Sequence, residues 1–188
     1  MKKITALLLV LVMALSLAAC NTNTPATTTE PAVAGPASAL EVLENIWAQY
    51  AEDDKFFAMG GDYEAPVDNA PGAVNLAVAD FLTYSLLIPE AELAGVTEAA
   101  SLMHAMNANT FTCGAYKVAD VAAFAAAMET AVMGNQWMCG FPETLIVASF
   151  GGNYVLVAFG INDAINPFLA NLQAAYPAAE LLVNKPIA

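Results

Sequence analysis

From residue 38 onward the chain alternates between two hydrophobic rhythms. Leu40, Leu43, Trp47 and Tyr50 recur at spacings of three and four, which is one apolar face of a helix. Ser38-Ala39-Leu40-Glu41 at its start reads as a capping box, the serine bonding forward and the glutamate back. Glu52-Asp53-Asp54 fray its end, because a helix C-terminus disfavours negative charge. Val121, Phe124, Ala125, Met128 and Val132 form a second stripe, opened by Asp120 and closed by Gly134. Ile165, Phe168, Leu169, Leu172 and Tyr176 form a third, opened by Asn162 and stopped by Pro177. Pro167 falls in the first turns of that helix, where proline costs least.

Between the helices the pattern changes. Val96 to Lys117 predicts two strands around Asn107-Ala108-Asn109, since asparagine tolerates the left-handed region a tight turn needs. The first arm is alanine-rich, so helix competes there. Thr144 to Phe150 and Tyr154 to Phe159 flank Gly151-Gly152 and predict a hairpin. Leu181 to Asn184 predicts a further short strand. Phe57 to Gly72, punctuated by Gly60-Gly61, Pro66 and Pro71, reads as a loop region. Asn75 to Leu87 is apolar and reads ambiguously, and Pro89 to Leu93 suggests a helical turn. The order α-ββ-α-ββ-α over residues 38–188 therefore predicts a single α+β domain. Its expected architecture is a four-stranded antiparallel sheet of two hairpins, with helices packed on one face.

The front of the chain follows different rules. Met1-Lys2-Lys3 precedes an uncharged run from Ile4 to Ala19, the build of a secretory signal and too short to span a bilayer comfortably. Leu17-Ala18-Ala19-Cys20 resembles a bacterial lipobox, in which the cysteine thiol takes a diacylglycerol and the chain is cut before it. The competing reading is an ordinary signal with a chance cysteine. Residues 1–19 are thus expected to be a lipoprotein signal peptide. Residues 20–37 are expected to be a lipidated Cys20 followed by a disordered Thr/Pro/Ala-rich tether. The expected location is the extracytoplasmic face of the cell membrane, held there by the lipid. No cofactor is expected beyond that covalent lipid.

Charge narrows the partners. The net charge is -13, and loss of residues 1–19 removes Lys2 and Lys3, leaving Lys55, Lys117 and Lys185 against 18 acids. Nucleic-acid binding rests on Lys and Arg neutralising phosphates, so it is excluded. Anionic headgroups would repel the domain, and a phosphorylated ligand is disfavoured. The acidity suits cations, cationic peptides or plain solubility.

The stretches AASLMHAMNANTFTCGAYKV and NQWMCGFPETLIVASFGGNYVLVAF, with the amphipathic helix between them, resemble a family of small lipoproteins of Gram-positive bacteria that carry a domain of unknown function. The Trp137-Met138-Cys139 knot followed by a hairpin carries the likeness, which runs from Ala99 to Gly160. Some similar sequences bear the automatic label of bacteriocin transport accessory protein. The resemblance implies a lipid-anchored, compact α+β domain and supplies no catalytic residues. The chain has no Cys-x-x-Cys motif of the thioredoxin-like kind.

Several residue groups carry candidate chemistry. Cys113 and Cys139 either form a disulfide, closing a loop of about 26 residues worth about 3 kcal/mol, or remain buried free thiols. Asp62, Glu64, Asp68 and Asn69 offer oxygen ligands to Ca²⁺, or else make a solvated acidic loop. Met103, His104, Met106 and Cys113 include soft ligands for Cu(I), but on a strand Met103 and His104 point to opposite faces. A Cys113–His104 nucleophile pair has no orienting third group, and Ser149 lies outside a Gly-x-Ser-x-Gly elbow. Trp137 and Phe141 form either an exposed recognition patch or a plug between helix and sheet. The expected function is a non-enzymatic binding module acting through Met59–Gly72 or an uncovered sheet face. The alternative is an accessory subunit docking on a membrane export complex. The ligand is not legible.

Overall fold

The computed structural model describes residues 35–187. The predicted signal peptide, Cys20 and most of the predicted tether lie outside the described residues.

Three helices form where the stripes predict them: α1 (Ala39–Trp47), α2 (Val121–Met133) and α3 (Asn162–Ala175). The caps are the expected ones at α1 and α2. Ser38 Oγ accepts from Glu41 N–H at 3.0 Å, and Asp120 accepts from Ala123 N–H at 3.0 Å. The Glu41 carboxylate reaches back to Ala37, one residue earlier than a capping box requires.

The sheet corrects the expectation. The class is α+β, but eight strands, not four, make one antiparallel sheet. The strands are β1 (Ala58–Gly61), β2 (Pro66–Asp68), β3 (Gly72–Ala73), β4 (Val96–His104), β5 (Phe111–Val118), β6 (Thr144–Phe150), β7 (Tyr154–Gly160) and β8 (Glu180–Pro186). Their order is β2-β1-β4-β5-β7-β6-β8, with β3 also paired to β4. The two predicted hairpins, β4–β5 and β6–β7, form its centre, and β8 extends the predicted last strand.

Residues 57–72 are the second correction: they hold β1, β2 and the start of β3 rather than a loop. β1 occupies Leu102 to His104 of the β4 edge, leaves for β2, and returns as β3 against Ala100 and Ser101. The chain crosses itself there with no room for side chains. A Cβ on Gly60 would lie 2.2 Å from Gly72 N, and one on Gly72 would lie 2.3 Å from Gly61 N.

Helices cover both sheet faces, the third correction. On one face α1 and α3 bury Val42, Leu43, Ile46 and Phe168 against Leu102, Phe111, Ile146 and Leu156. On the other, α2 and the segment 74–88 bury Phe124, Met128, Phe81 and Ile88 against Tyr116, Val147, Val155 and Val157. Every residue of β7 is buried. Each fully buried Leu, Ile, Val or Phe contributes about 1.5–3 kcal/mol, so this double core dominates stability. No uncovered face of the central strands remains for the binding role expected of one.

Candidate functional site: the loop end of the sheet

The two ends of the sheet differ. At one end the described chain enters: Gly35 sits against the Gly151-Gly152 turn, and the Tyr154 hydroxyl lies 3.1 Å from both Ala37 O and a Glu98 carboxylate oxygen, with one hydrogen to share between them. Glu98 secures this entrance by accepting from Ala39 N–H and from the Lys117 ammonium at 3.1 Å. Burial pushes the Glu98 carboxyl upward, but Lys117, Ala39 and Tyr154 together hold it below the usual carboxylate range.

At the other end lie the β4–β5 turn, the segment after α2 and the start of α3. Asparagine side chains bind these pieces together. Asn107 Nδ2 donates to Cys139 O at 2.8 Å, and Asn109 Nδ2 donates to Met138 O at 2.7 Å and Gly140 O at 3.1 Å. Ala105 N–H donates to Phe57 O at 2.9 Å, bringing the approach to β1 alongside the same turn. Four large apolar side chains stand exposed here: Phe57 at 54%, Met106 at 78%, Met138 at 79% and Phe141 at 72%. Trp137 instead packs on Phe159, ring centroids 5.3 Å apart, under the α2 face. The aromatic–Met–Cys knot is therefore split, with Trp137 a plug and Met138 and Phe141 surface. Cys139, between the two exposed side chains Met138 and Phe141, adopts φ 62°, the left-handed region.

Beside this apolar end is a pocket of about 210 Å³ lined by Tyr50, Asp54, Phe56, His104, Thr110 and Asp163, among others. Phe56 stacks on His104 at 5.8 Å. His104 Nδ1 accepts from Met106 and Asn107 N–H, so in the neutral ring Nε2 carries the proton. Tyr50 is buried and its hydroxyl has no hydrogen-bond partner among the described residues. The Asn171 side chain approaches it without meeting hydrogen-bond geometry. Burial, reinforced by the neighbouring Cys113, pushes the Tyr50 phenol far above its usual range.

The residues singled out from sequence scatter. Cys113 is fully buried in the α1/α3 core, where burial pushes its thiol pKa well up, and Cys139 is exposed; both are free thiols. Met103 packs in the α2-side core while His104 stacks on the other side, as strand alternation requires. Asp62 is 3% exposed and builds the turn after β1. Its Oδ1 accepts from Glu64 and Ala65 N–H at 2.9 and 3.1 Å, and its Oδ2 from Asn75 N–H at 2.6 Å. Burial raises its pKa, these three donors lower it, and the net is below the usual carboxylate value. Glu64 and Asp68 are exposed, and Asn69 turns at φ 55° with its carbonyl accepting from Trp47 Nε1. Among the described residues no three His, Cys, Asp or Glu side chains gather as a metal-holding group. Ser149 lies half-buried in β6. Sequence reasoning named Met106 only as a soft metal ligand and Phe57 only as the start of a loop, and missed both as exposed apolar surface; the signal available was an aromatic or methionine placed just outside a strand end.

No protein-family model, curated protein or solved structure matches this chain.

Proposed function

We propose that the protein is a lipid-anchored extracytoplasmic binding module, held at the membrane through Cys20 and acting without chemistry of its own. The observation that carries the reading is the position of the exposed apolar side chains. Phe57, Met106, Met138 and Phe141 gather at the sheet end opposite the point where the chain enters at Gly35. A domain tethered from the opposite end leaves this end free for a partner to reach. Exposed apolar groups that lie together mark interaction sites, and the asparagine clamps hold the segment carrying Met138 beside the β4–β5 turn. A non-catalytic role is supported by the burial of the Cys113 thiol and by the backbone donors already held by His104 Nδ1. Docking on a membrane export complex is one form this binding could take.

Two measurements test the reading. Expressed in a bacterium that processes lipoproteins, the full chain should fractionate with membranes and carry diacylglycerol mass on Cys20. Cys20→Ala should lose both, and a membrane-bound Cys20→Ala would refute the anchor. A photo-crosslinking residue at Met138 should capture envelope partners that the same residue at Glu180 does not. Equal capture from both positions would refute the docking end.

A further inference from the structure

We propose that the loop end takes a cationic amphipathic peptide segment, seating a lysine or arginine side chain in the His104 pocket and apolar side chains on Met106, Met138 and Phe141. This rests on the binding-module reading above and names its partner by chemistry.

Charge complementarity carries the inference. Each described lysine is already ion-paired within the domain: Lys55 with Glu52, Lys117 with Glu98, and Lys185 with Glu129. The described residues therefore offer an acidic partner only three lysines, each already beside a carboxylate. The loop end in contrast carries exposed carboxylates. Asp53 and Asp54 follow α1, and Asp163 lies in the first turn of α3. Asp54 and Asp163 both line the pocket, and neither is ion-paired to a lysine among the described residues. The pocket walls add the aromatic rings of Phe56 and Tyr50, against which the apolar stem of a lysine or arginine can pack. A pocket of about 210 Å³ suits one side chain rather than a whole cofactor.

Two other occupants fit less well. A second copy of this chain would bring acidic rim against acidic rim. An anionic bilayer would be repelled by the same carboxylates, and this end faces away from the entry of the chain.

The test uses the full lipidated chain in nanodiscs of zwitterionic lipid, with empty nanodiscs as the blank. The probe is a fluorescent decapeptide bearing two lysines and three leucines, compared with a version carrying glutamates for lysines and one carrying serines for leucines. We expect the first to bind and each altered peptide to bind at least about tenfold more weakly. Asp54→Asn with Asp163→Asn should weaken binding by about tenfold or more, while Glu90→Gln with Glu180→Gln at other sites should leave it within about twofold. Added salt should weaken binding further. Equal binding of the glutamate peptide, or equal loss from both pairs of variants, would overturn the proposal. So would recruitment to anionic vesicles in place of the peptide, or self-association abolished by Met138→Ser. If crosslinking from Met138 captures a partner while the lysine peptide fails to bind, the binding-module reading stands and this inference falls.

Discussion

Asp62→Asn is the sharpest test of how the β1–β2 turn is held. The buried carboxylate accepts three backbone N–H groups, from Glu64, Ala65 and Asn75. An asparagine can keep its oxygen toward Glu64 and Ala65, but its NH₂ then faces the Asn75 N–H, donor against donor. One charge-assisted bond is lost, a buried donor is orphaned, and the two surviving bonds lose their charge. The cost is about 2–4 kcal/mol. For a domain of this size that lowers Tm by roughly 5–15 °C. The pH dependence has a defined sign. The folded-state pKa of Asp62 is depressed, so its stabilisation is present above the unfolded value near 4 and is lost as pH falls through the folded value. Urea melts of both proteins between pH 3 and 7 should therefore show the widest gap at neutral pH and convergence at the acid end. Because the same oxygens are committed to backbone donors, millimolar Ca²⁺ should leave the wild-type Tm unchanged. An Asp62→Asn protein as stable as wild type at pH 7 would refute the anchoring role, and a calcium-induced rise in Tm would refute the account of the oxygens.

The remaining predictions concern packing and thiols. Gly60→Ala places a methyl 2.2 Å from Gly72 N, backbone that cannot swing aside, and should cost at least about 2 kcal/mol in urea melts; an unchanged midpoint would mean the crossing is looser than described. With mature, Cys20-lipidated protein, a thiol reagent should react quickly with Cys139 alone, and with Cys113 only on unfolding. Two fast thiols would contradict the buried placement of Cys113, and none before or after unfolding would reveal a Cys113–Cys139 bridge.

Elements set by local chemistry were legible. Ser38 and Asp120 cap helices from their own sequence neighbourhoods, and the turn between Phe150 and Tyr154 needs only the residues that make it. Strands β1 to β3 were not legible because their letters, AMGG, PVD and GA, are turn-like. β1 and β3 become strands only because β4, distant in sequence, offers them an edge, and β2 because β1 then offers it one. The two-sided covering of the sheet did leave a trace. Tyr154-Val-Leu-Val-Ala-Phe159 does not alternate apolar with polar, as a half-exposed strand would, and that is the pattern of burial on both faces. At the candidate site, Trp137, Met138 and Phe141 are equally apolar as letters. What separates plug from surface is which side chain meets Phe159 in the fold: Trp137 does and Met138, one residue on, does not, and composition does not encode that.

The packing of α1 on α3 has a consequence for the order in which the molecule can come together. Asn45 bonds to Tyr176 across 131 residues of chain, and Ala37 is reached by Tyr154 across 117. A chain emerging N-terminus first from a ribosome or a translocation channel can close the β4–β5 and β6–β7 hairpins early, because their partners are neighbours. The apolar face of α1 has no complete cover until residues 162–179 have followed. Closure of such distant pairings is entropically slow. The domain therefore cannot complete its core while its C-terminal fifth is still inside the channel. Chain release becomes the event that permits folding, and until then Val42, Leu43 and Ile46 are the surface that a chaperone would have to shield.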